Sequence, residues 1–169
     1  MAITITNITN PDPDTYYRIF QEALPKIGHE TARLGESELR RDMIRSLFRD
    51  DVICEEIKKD GYIVGYIATE LITFRNSTYK HLIHPTVGQD DSGSRSWFYS
   101  DDHWTASRDK VAADGAVGLI AKHNPGSPAA LGLASQYSNC TIETLTVGEV
   151  FPNDTYSPDS MRAFVITFP

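Results

Sequence analysis

Apolar residues are most concentrated between residues 51 and 87, where their pattern predicts three consecutive β-strands that form an antiparallel meander. An apolar run ending at Ile57 is followed by Lys58-Lys59-Asp60-Gly61, and Asp-Gly between two apolar runs is typical of a tight hairpin turn. The next segment, Tyr62–Phe74, is long, β-branched and aromatic, which favours a central strand buried on much of both faces. Gly65 lies inside that strand, so we expect another group to pack closely against its backbone.

The chain before this meander is predicted to contain one strand and two helices. Ala2–Thr9 alternates apolar and polar residues, as a strand does. Asp12 is a good helix cap and Pro13 a good first helical residue, because the missing N–H of proline has no partner at that position. A second helix is predicted to begin at Ser37, with one apolar stripe buried and the charged residues facing solvent. The stripe consists of Leu39, Met43, Ile44, Leu47 and Phe48.

The third strand of the meander, Tyr79–Val87, is followed by a polar, glycine-containing loop from Gly88 to Arg95. The elements predicted after this loop are a helix over Ser96–Asp114, a short buried strand over Ala116–Ala121, a small helix over Ala129–Tyr137 opened by Pro128, and two strands, Thr141–Val147 and Ala163–Phe168, that pair as a hairpin. With 169 residues and no internal repeat, the chain from 1 to 169 is predicted to be one domain.

Composition narrows the class of protein and its partners. A content of 40% hydrophobic and 23% charged residues is typical of a globular protein, and a net charge of −7 argues against a nucleic-acid partner. No run approaches the ~20 apolar residues that a membrane-spanning helix needs, and no signal peptide is visible at the N-terminus. We therefore expect a cytoplasmic protein with no membrane partner, whose Cys54 and Cys140 are free thiols. The sequence leaves open whether the protein forms a homodimer.

Two local patterns, taken with the order of the elements, resemble the GCN5-related N-acetyltransferase (GNAT) superfamily. The first is Ile83-His84-Pro85, which leads through the polar loop to Gly93 and a helix. The second is the run from Leu119 to Pro125, followed by Ala129-Ala130-Leu131 at the start of a helix. The resemblance covers nearly the whole chain and implies a mixed α/β (α+β) fold with a mostly antiparallel central sheet flanked by helices. It also implies a ligand cleft where the sheet splays between its fourth and fifth strands.

The resemblance implies an acyl-CoA-dependent N-acyltransferase that transfers an acetyl group from acetyl-CoA to an amine of a small molecule or a protein. In the family, a glycine loop before a helix holds the pyrophosphate of acetyl-CoA, since backbone N–H groups and the helix dipole attract anions there. The alternative is a catalytically inactive GNAT-like module for binding or assembly. The residues expected to contact acetyl-CoA are Val87, Gln89, Ser92, Gly93, Ser94, Arg95 and Asn124.

The loop departs from the family pattern, Arg/Gln-x-x-Gly-x-Gly/Ala, in both registers that the sequence allows. Counted from Pro85, Gly88 stands where Arg or Gln is usual; with a one-residue insertion, Arg95 replaces the second glycine. Asp90 and Asp91 bring two carboxylates to the place of the phosphates, and like charges ~4 Å apart repel by about 4 kcal/mol at an effective dielectric of ~20. An open cradle of N–H groups would favour the enzyme, whereas an aspartate side chain filling it would favour the module. If acetyl-CoA binds, Asp91→Gly is expected to tighten that binding.

The candidate catalytic residues are Tyr137, Glu70 and His84. Acetyl transfer needs an acid that protonates the leaving thiolate. In the family this is frequently a tyrosine shortly after the helix alanine, and Tyr137 is the candidate here, although it lies about one turn later. The base that deprotonates the acceptor amine is expected on the central strands, at Glu70 or His84, with His81 as a further candidate. No metal site is predicted, because the adjacent side chains of Asp101-Asp102-His103 would point apart on a helix.

Overall fold

The computed structural model describes residues 2–8, 12–23, 49–83 and 85–169, together with the single positions 38, 41 and 45. Its strands are β1 (Ile3–Asn7), β2 (Ile53–Lys59), β3 (Tyr62–Phe74), β4 (Ser77–Leu82), β5 (Thr86–Val87), β6 (Gly118–His123), β7 (Thr141–Thr146) and β8 (Arg162–Thr167). Its helices are α1 (Pro13–Ala23), a 3₁₀ helix (Ser96–Tyr99), α2 (Asp101–Ala113), α3 (Pro128–Gln136) and α4 (Val147–Val150). The fold is therefore mixed α/β with mostly antiparallel strands, as predicted.

Two compact units make up the chain. The first unit contains the described residues of 1–70 and 84–106, and the second contains 71–83 and 107–169. The division falls inside β3 and inside α2, so each of these elements contributes residues to both units. A single domain over residues 1–169 stays a prediction, and the two units are described separately below.

Strands of the first unit follow the order β1-β2-β3, with the short β5 added to β3, and all of these pairs are antiparallel. The turn between β2 and β3 is the predicted hairpin, with positive φ at both Asp60 (51°) and Gly61 (84°). Positive φ at two successive residues is the geometry that Asp-Gly favours in a two-residue turn. The third strand of the predicted meander, Tyr79–Val87, is divided in the structure into β4 and β5.

A β-bulge interrupts the pairing of β2 with β3. Ile57 lies opposite Gly65, but the next residue, Lys58, lies opposite Ile63, so Val64 has no partner of its own in the ladder. Strict alternation along β3 would place Ile63 on the same face as the other odd-numbered residues of the strand. Because the bulge inserts one extra residue, it interrupts this alternation between Gly65 and Ile63.

Close packing at Gly65 is confirmed. A Cβ atom on this residue would lie 2.9 Å from the carbonyl oxygen of Thr86 and 3.3 Å from Cη2 of Trp97. Trp97 is fully buried and forms a core cluster with Ile57 and Val64. The glycine is therefore required by the approach of the β5 backbone on one side and the Trp97 ring on the other.

Helix α1 begins as predicted. The side chain of Asp12 accepts a hydrogen bond from the backbone N–H of Asp14 at 3.1 Å, which satisfies one of the free donors of the first turn. Farther along, Tyr16 packs edge-on against Tyr66 of β3, with 5.5 Å between the ring centroids, and donates a 2.9 Å hydrogen bond to Glu56. These contacts attach α1 to the sheet of the first unit.

Only part of the predicted second helix can be assessed. Arg41 and Arg45 are helical and exposed, in agreement with the predicted charged face. The predicted start at Ser37 and the whole apolar stripe from Leu39 to Phe48 lie outside the described residues.

Ser100 divides the predicted helix over Ser96–Asp114 into the 3₁₀ helix and α2. The Ser100 hydroxyl accepts a hydrogen bond from the backbone N–H of His103 at 3.1 Å and donates one to the carbonyl of Trp97 at 2.6 Å. A serine in this position caps a new helix, and the break therefore reflects local hydrogen bonding that competes with a continuous helix.

Strands of the second unit follow the order β4-β6-β8-β7. The pair β4–β6 is parallel, with Lys80 opposite Leu119, and β8 pairs antiparallel with both β6 and β7. The predicted hairpin of the last two strands is thus confirmed. The strand predicted over Ala116–Ala121 begins two residues later, at Gly118. One core cluster of this unit consists of Tyr79, Ile120, Val150, Ala163 and Val165.

A short helix that the sequence analysis missed, α4, follows β7 directly. Thr146 and Glu149 form a capping box, in which the Glu149 carboxylate accepts the backbone N–H of Thr146 at 2.7 Å. The spacing Thr-x-x-Glu was visible in the sequence and is the signal that would have predicted this helix.

Candidate functional site

The loop from Gly88 to Arg95 lies in the first unit and is attached to α1. A Cβ atom at Gly88 would lie 2.8 Å from Oε2 of Glu22, 2.9 Å from Cγ2 of Ile19 and 3.0 Å from the backbone oxygen of Val64, so a side chain there would force its neighbours to shift. The backbone N–H of Gln89 donates to the same Glu22 oxygen at 2.9 Å, and the Arg95 guanidinium donates to the carbonyl of Glu22. Both ends of the loop are therefore fixed on the last turn of α1.

Asp90 fills the centre of this loop with its own side chain. Its Oδ1 accepts hydrogen bonds from the backbone N–H of Ser92 at 3.0 Å and of Ser94 at 2.9 Å, and from the Ser92 hydroxyl at 2.7 Å. Its Oδ2 lies 2.7 Å from the ammonium nitrogen of Lys59, at the end of β2. Only 2% of the Asp90 side chain is exposed. The carboxylate is therefore the anion around which the loop is built.

The charged forms of Asp90 and Lys59 are both stabilised in this ion pair. The Lys59 ammonium, then the Ser92 hydroxyl and the backbone N–H of Ser94, hold the pKa of Asp90 well below its usual range. The hydrogen bond to Asp90 in turn raises the pKa of Lys59. The lowered pKa favours the ionised form of Asp90. This carboxylate has four donors: the Lys59 ammonium, the Ser92 hydroxyl, and the backbone N–H groups of Ser92 and Ser94.

The neighbouring donors of the loop are also used within it. The backbone N–H of Gly93, at a φ of 80°, donates to the carbonyl of Asp90 at 3.0 Å, and that of Ser96 donates to the Ser94 hydroxyl at 3.1 Å. Asp91, in contrast to Asp90, is exposed. The sequence pointed to Asp91 as the residue that stands in place of the glycine, but the aspartate that occupies the N–H groups is its neighbour.

The geometry of the loop bears on whether it can bind the pyrophosphate of acetyl-CoA. Its pyrophosphate would need the backbone N–H groups at the start of the helix, and those of Ser92 and Ser94 already bind Asp90. A phosphate at that position would also meet a buried carboxylate at hydrogen-bond distance. In this arrangement, the residues of the loop do not fit the pyrophosphate of acetyl-CoA.

Lys59 and Glu22 are site residues that the sequence analysis did not identify. Lys59 precedes an Asp-Gly turn and looks like an ordinary exposed residue of a hairpin, and Glu22 lies in the last turn of a surface helix. No sequence pattern links either of them to a loop that begins at residue 88. Their role follows from β5, which pairs with β3 and so returns the chain to the first unit.

Tyr137, the predicted acid, lies at the end of α3 in the second unit and is only 4% exposed. Its hydroxyl lies 3.0 Å from the Ser107 hydroxyl, and its ring stacks on Phe168 with 5.7 Å between the centroids. Burial raises the pKa of Tyr137 to about 12. These are the contacts of a packed core tyrosine.

The predicted bases occupy different surroundings. Glu70 is half-buried on β3, where its charge contributes, after Asp51, to raising the pKa of Arg49. His84 lies outside the described residues. His81 is buried on β4 in the second unit, and its ring centroid lies 4.6 Å from that of Phe151.

Two other residues expected at the acetyl-CoA site have structural contacts. Val87 is half-buried on β5, opposite Gly65, and packs against the Trp97 cluster. Asn124, in the second unit, follows β6, and its side-chain oxygen accepts a 3.1 Å hydrogen bond from the Ser160 hydroxyl. The role of both residues in ligand binding stays a prediction.

The second unit contains the carboxyl ends of two parallel strands. The pairing of β4 with β6 ends at Leu82 and Ala121, whereas β6 continues along β8 to His123. Open α/β sheets bind ligands at such ends. A shallow cavity of about 270 Å³ in this unit is lined by Ile72, Thr73, Val150, Phe151, Pro152, Asn153 and Asp154. Two of these residues contact the ends of the parallel strands: Phe151 packs on His81 of β4, and Asp154 pairs with Lys122 of β6.

In the part of the chain that the structure describes, no group of three or more His, Cys, Asp or Glu side chains is placed to hold a metal ion. No described helix combines the length and the apolar character needed to cross a bilayer. Cys54 and Cys140, the two cysteines of the chain, form no disulfide bond.

Comparison with solved structures defines the fold. The chain is similar to an acetyltransferase from Thermus thermophilus, with a TM-score of 0.61 and 16% identity over 99% of this chain and 98% of that one. It is also similar to the ribosomal-protein-S18-alanine N-acetyltransferase from Escherichia coli (TM-score 0.56, 14% identity, 99% and 93% covered). A GNAT family acetyltransferase of Staphylococcus aureus matches with a TM-score of 0.50 and 16% identity over 70% and 84% of the two chains.

These likenesses show that the chain has the GNAT acetyltransferase fold, as the sequence resemblance implied. No family model matches the sequence, and no characterised protein matches it by sequence. Identities of 14–16% establish a shared architecture and leave activity to be argued from the residues of the site.

Proposed function

We propose that this protein is a GNAT-fold binding or assembly module that does not use acetyl-CoA as a co-substrate. The observation that carries the proposal is the position of the Asp90 carboxylate on the backbone N–H groups of Ser92 and Ser94. Lys59 neutralises that carboxylate, so the loop is electrostatically complete without a ligand. A phosphate could enter only by displacing a part-buried ion pair, which would leave charged groups without their partners.

The surroundings of Tyr137 support the same proposal. An acid that protonates a leaving thiolate must reach the reacting atoms, whereas the Tyr137 hydroxyl is buried against Ser107. A pKa of about 12 also makes it a weaker proton donor than an ordinary tyrosine. A net charge of −7 makes a nucleic acid an unsuitable partner for the module.

A second candidate function is acyl-CoA-dependent transfer of an acetyl group to an amine. The observation that favours it is the end of the parallel β4–β6 pairing at Leu82 and Ala121, because the carboxyl ends of such strands are where open α/β sheets bind ligands. The acetyltransferases with this fold add support at the level of architecture. The acceptor would be an amine of a small molecule or a protein.

Thermal unfolding with and without acetyl-CoA separates the two candidates. A ligand at about 100 times its dissociation constant stabilises the native state by about 2.7 kcal/mol, which raises Tm by roughly 5–10 °C for a chain of this size. With acetyl-CoA at about 1 mM, we expect no shift beyond that given by ADP, which controls for weak adenine and phosphate contacts. A saturable shift with acetyl-CoA but not with ADP would refute the module and show that the protein binds the acyl donor of the second candidate function.

A further inference from the structure

We infer that the loop from Gly88 to Arg95 is a latent diphosphate site that Asp90 closes from within the chain. The inference deepens the proposed function, on which it rests, by identifying what prevents this fold from binding its usual anion. It assigns two roles: Asp90 is the internal occupant, and Lys59 is the cation that an external phosphate would otherwise meet.

The donors around Asp90 form a complete anion cradle. Two backbone N–H groups and one hydroxyl converge on Oδ1 within 2.7 to 3.0 Å, and an ammonium lies 2.7 Å from Oδ2. Backbone N–H groups that converge in this way bind phosphate as well as carboxylate, because both present oxygen acceptors with negative charge. Removal of the Asp90 side chain would leave the three donors and Lys59 facing the same small space.

The second unit provides a matched example of the same construction. Oδ1 of Asp154 accepts the backbone N–H groups of Tyr156 at 3.0 Å and Ser157 at 2.9 Å. Its Oδ2 accepts the Ser157 hydroxyl at 2.7 Å and lies 2.8 Å from the ammonium of Lys122. This chain therefore closes two loops with an aspartate and a lysine. The loop at Asp90 differs in its place, since it leads into a helix where the GNAT resemblance expects a pyrophosphate.

The decisive experiment measures the affinity for inorganic pyrophosphate by isothermal titration. We expect no detectable binding by the wild type. In Asp90→Ala, the affinity for pyrophosphate should exceed the detection limit by roughly tenfold to a hundredfold, because the charge-assisted hydrogen bonds become available to the ligand. Lys59→Met added to Asp90→Ala should abolish the gain. Asp91→Gly, which alters an exposed residue of the same loop, should bind no better than the wild type.

Asp154→Ala is the matched control, because it opens an equivalent aspartate–lysine loop in the other unit. A gain of equal size in this variant would reveal an adventitious ion site only, and would overturn the inference. Failure of the folded Asp90→Ala protein to bind pyrophosphate would also overturn the inference. The proposed function would still stand in that case if the wild type does not bind acetyl-CoA. Binding of both ligands by the wild type would refute both proposals.

Asp90→Asn keeps the test decisive if Asp90→Ala does not fold. The amide oxygen can still accept the N–H groups of Ser92 and Ser94 and so support the loop. As an uncharged and weaker acceptor, it should yield these groups to pyrophosphate, which also pairs with Lys59. The amide resonances of Ser92 and Ser94 should shift on addition of pyrophosphate in Asp90→Asn and remain unchanged in the wild type. A shift of equal size in the wild type, or none in the folded variant, would overturn the closure by Asp90.

Discussion

The ammonium of Lys59 lies 2.7 Å from the carboxylate of Asp90 and so joins the end of β2 to a loop 31 residues later in the chain. This one ion pair decides between an open anion cradle and a closed one. Because Oδ1 of Asp90 simultaneously accepts the N–H groups of Ser92 and Ser94, the pair neutralises the charge and fixes the loop backbone together. The same contacts thus stabilise the loop and occupy its N–H groups.

This coupling predicts a specific dependence of stability on pH. The pKa of Asp90 is lowered in the folded protein, so its contribution is complete above the unfolded value of about 3.9 and is lost as the pH falls through the folded value. We expect wild type and Asp90→Asn to differ most in free energy of unfolding above about pH 5, and to converge as the pH falls below about 4. Urea titrations at a series of pH values from about 7 down to about 3 give the measurement.

The control for that series is Asp154→Asn. In the wild type, hydrogen bonds from Lys122 and Ser157 lower the pKa of Asp154, as those from Lys59 and Ser92 lower that of Asp90. Each single variant should lose part of the pH dependence, and the double variant should lose the sum, since the two aspartates lie in separate loops. A difference between wild type and Asp90→Asn that stays constant from pH 7 to pH 3 would contradict the ion pair as its cause.

Gly65→Val should destabilise the protein by about 1–3 kcal/mol, because a side chain at this position would collide with the Thr86 carbonyl and the Trp97 ring. Chemical denaturation gives the loss directly. Gly148→Ala is the matched control: nothing lies within 4 Å of its Cβ, and it lies in α4, where alanine is favoured over glycine. Equal losses in the two variants would show that close packing is not the reason for Gly65.

Tyr137→Phe should cost about 0.5–1.5 kcal/mol, the usual net value of one hydrogen bond, because the ring can keep its stacking on Phe168. Ser107→Ala removes the other partner of the same bond. A double-mutant cycle should therefore give a coupling energy of about the same size, measured by urea unfolding. Additive effects would show that the two hydroxyls are not bonded, and would leave Tyr137 available for another role.

Several features of the fold could be predicted from the sequence because they depend on neighbouring residues. Asp60-Gly61 adopts the hairpin turn, Asp12 caps α1, and β3 covers the predicted Tyr62–Phe74 without change. Turn dihedrals, caps and strand propensity act over a few residues, so the pattern alone specified them. The closeness of another group at Gly65 was predicted for the same reason, although its identity, Trp97, was not.

The candidate site, in contrast, was decided by tertiary structure. The sequence showed two aspartates in the loop, but it could not show that Asp90 turns inward while Asp91 stays exposed. That difference depends on Lys59, which the pairing of β2 with β3 and of β3 with β5 brings to the loop. The bulge at Val64 is equally non-local, since it exists only relative to the partner strand. Electrostatic pairing and strand register depend on distances in space, which a linear pattern does not contain.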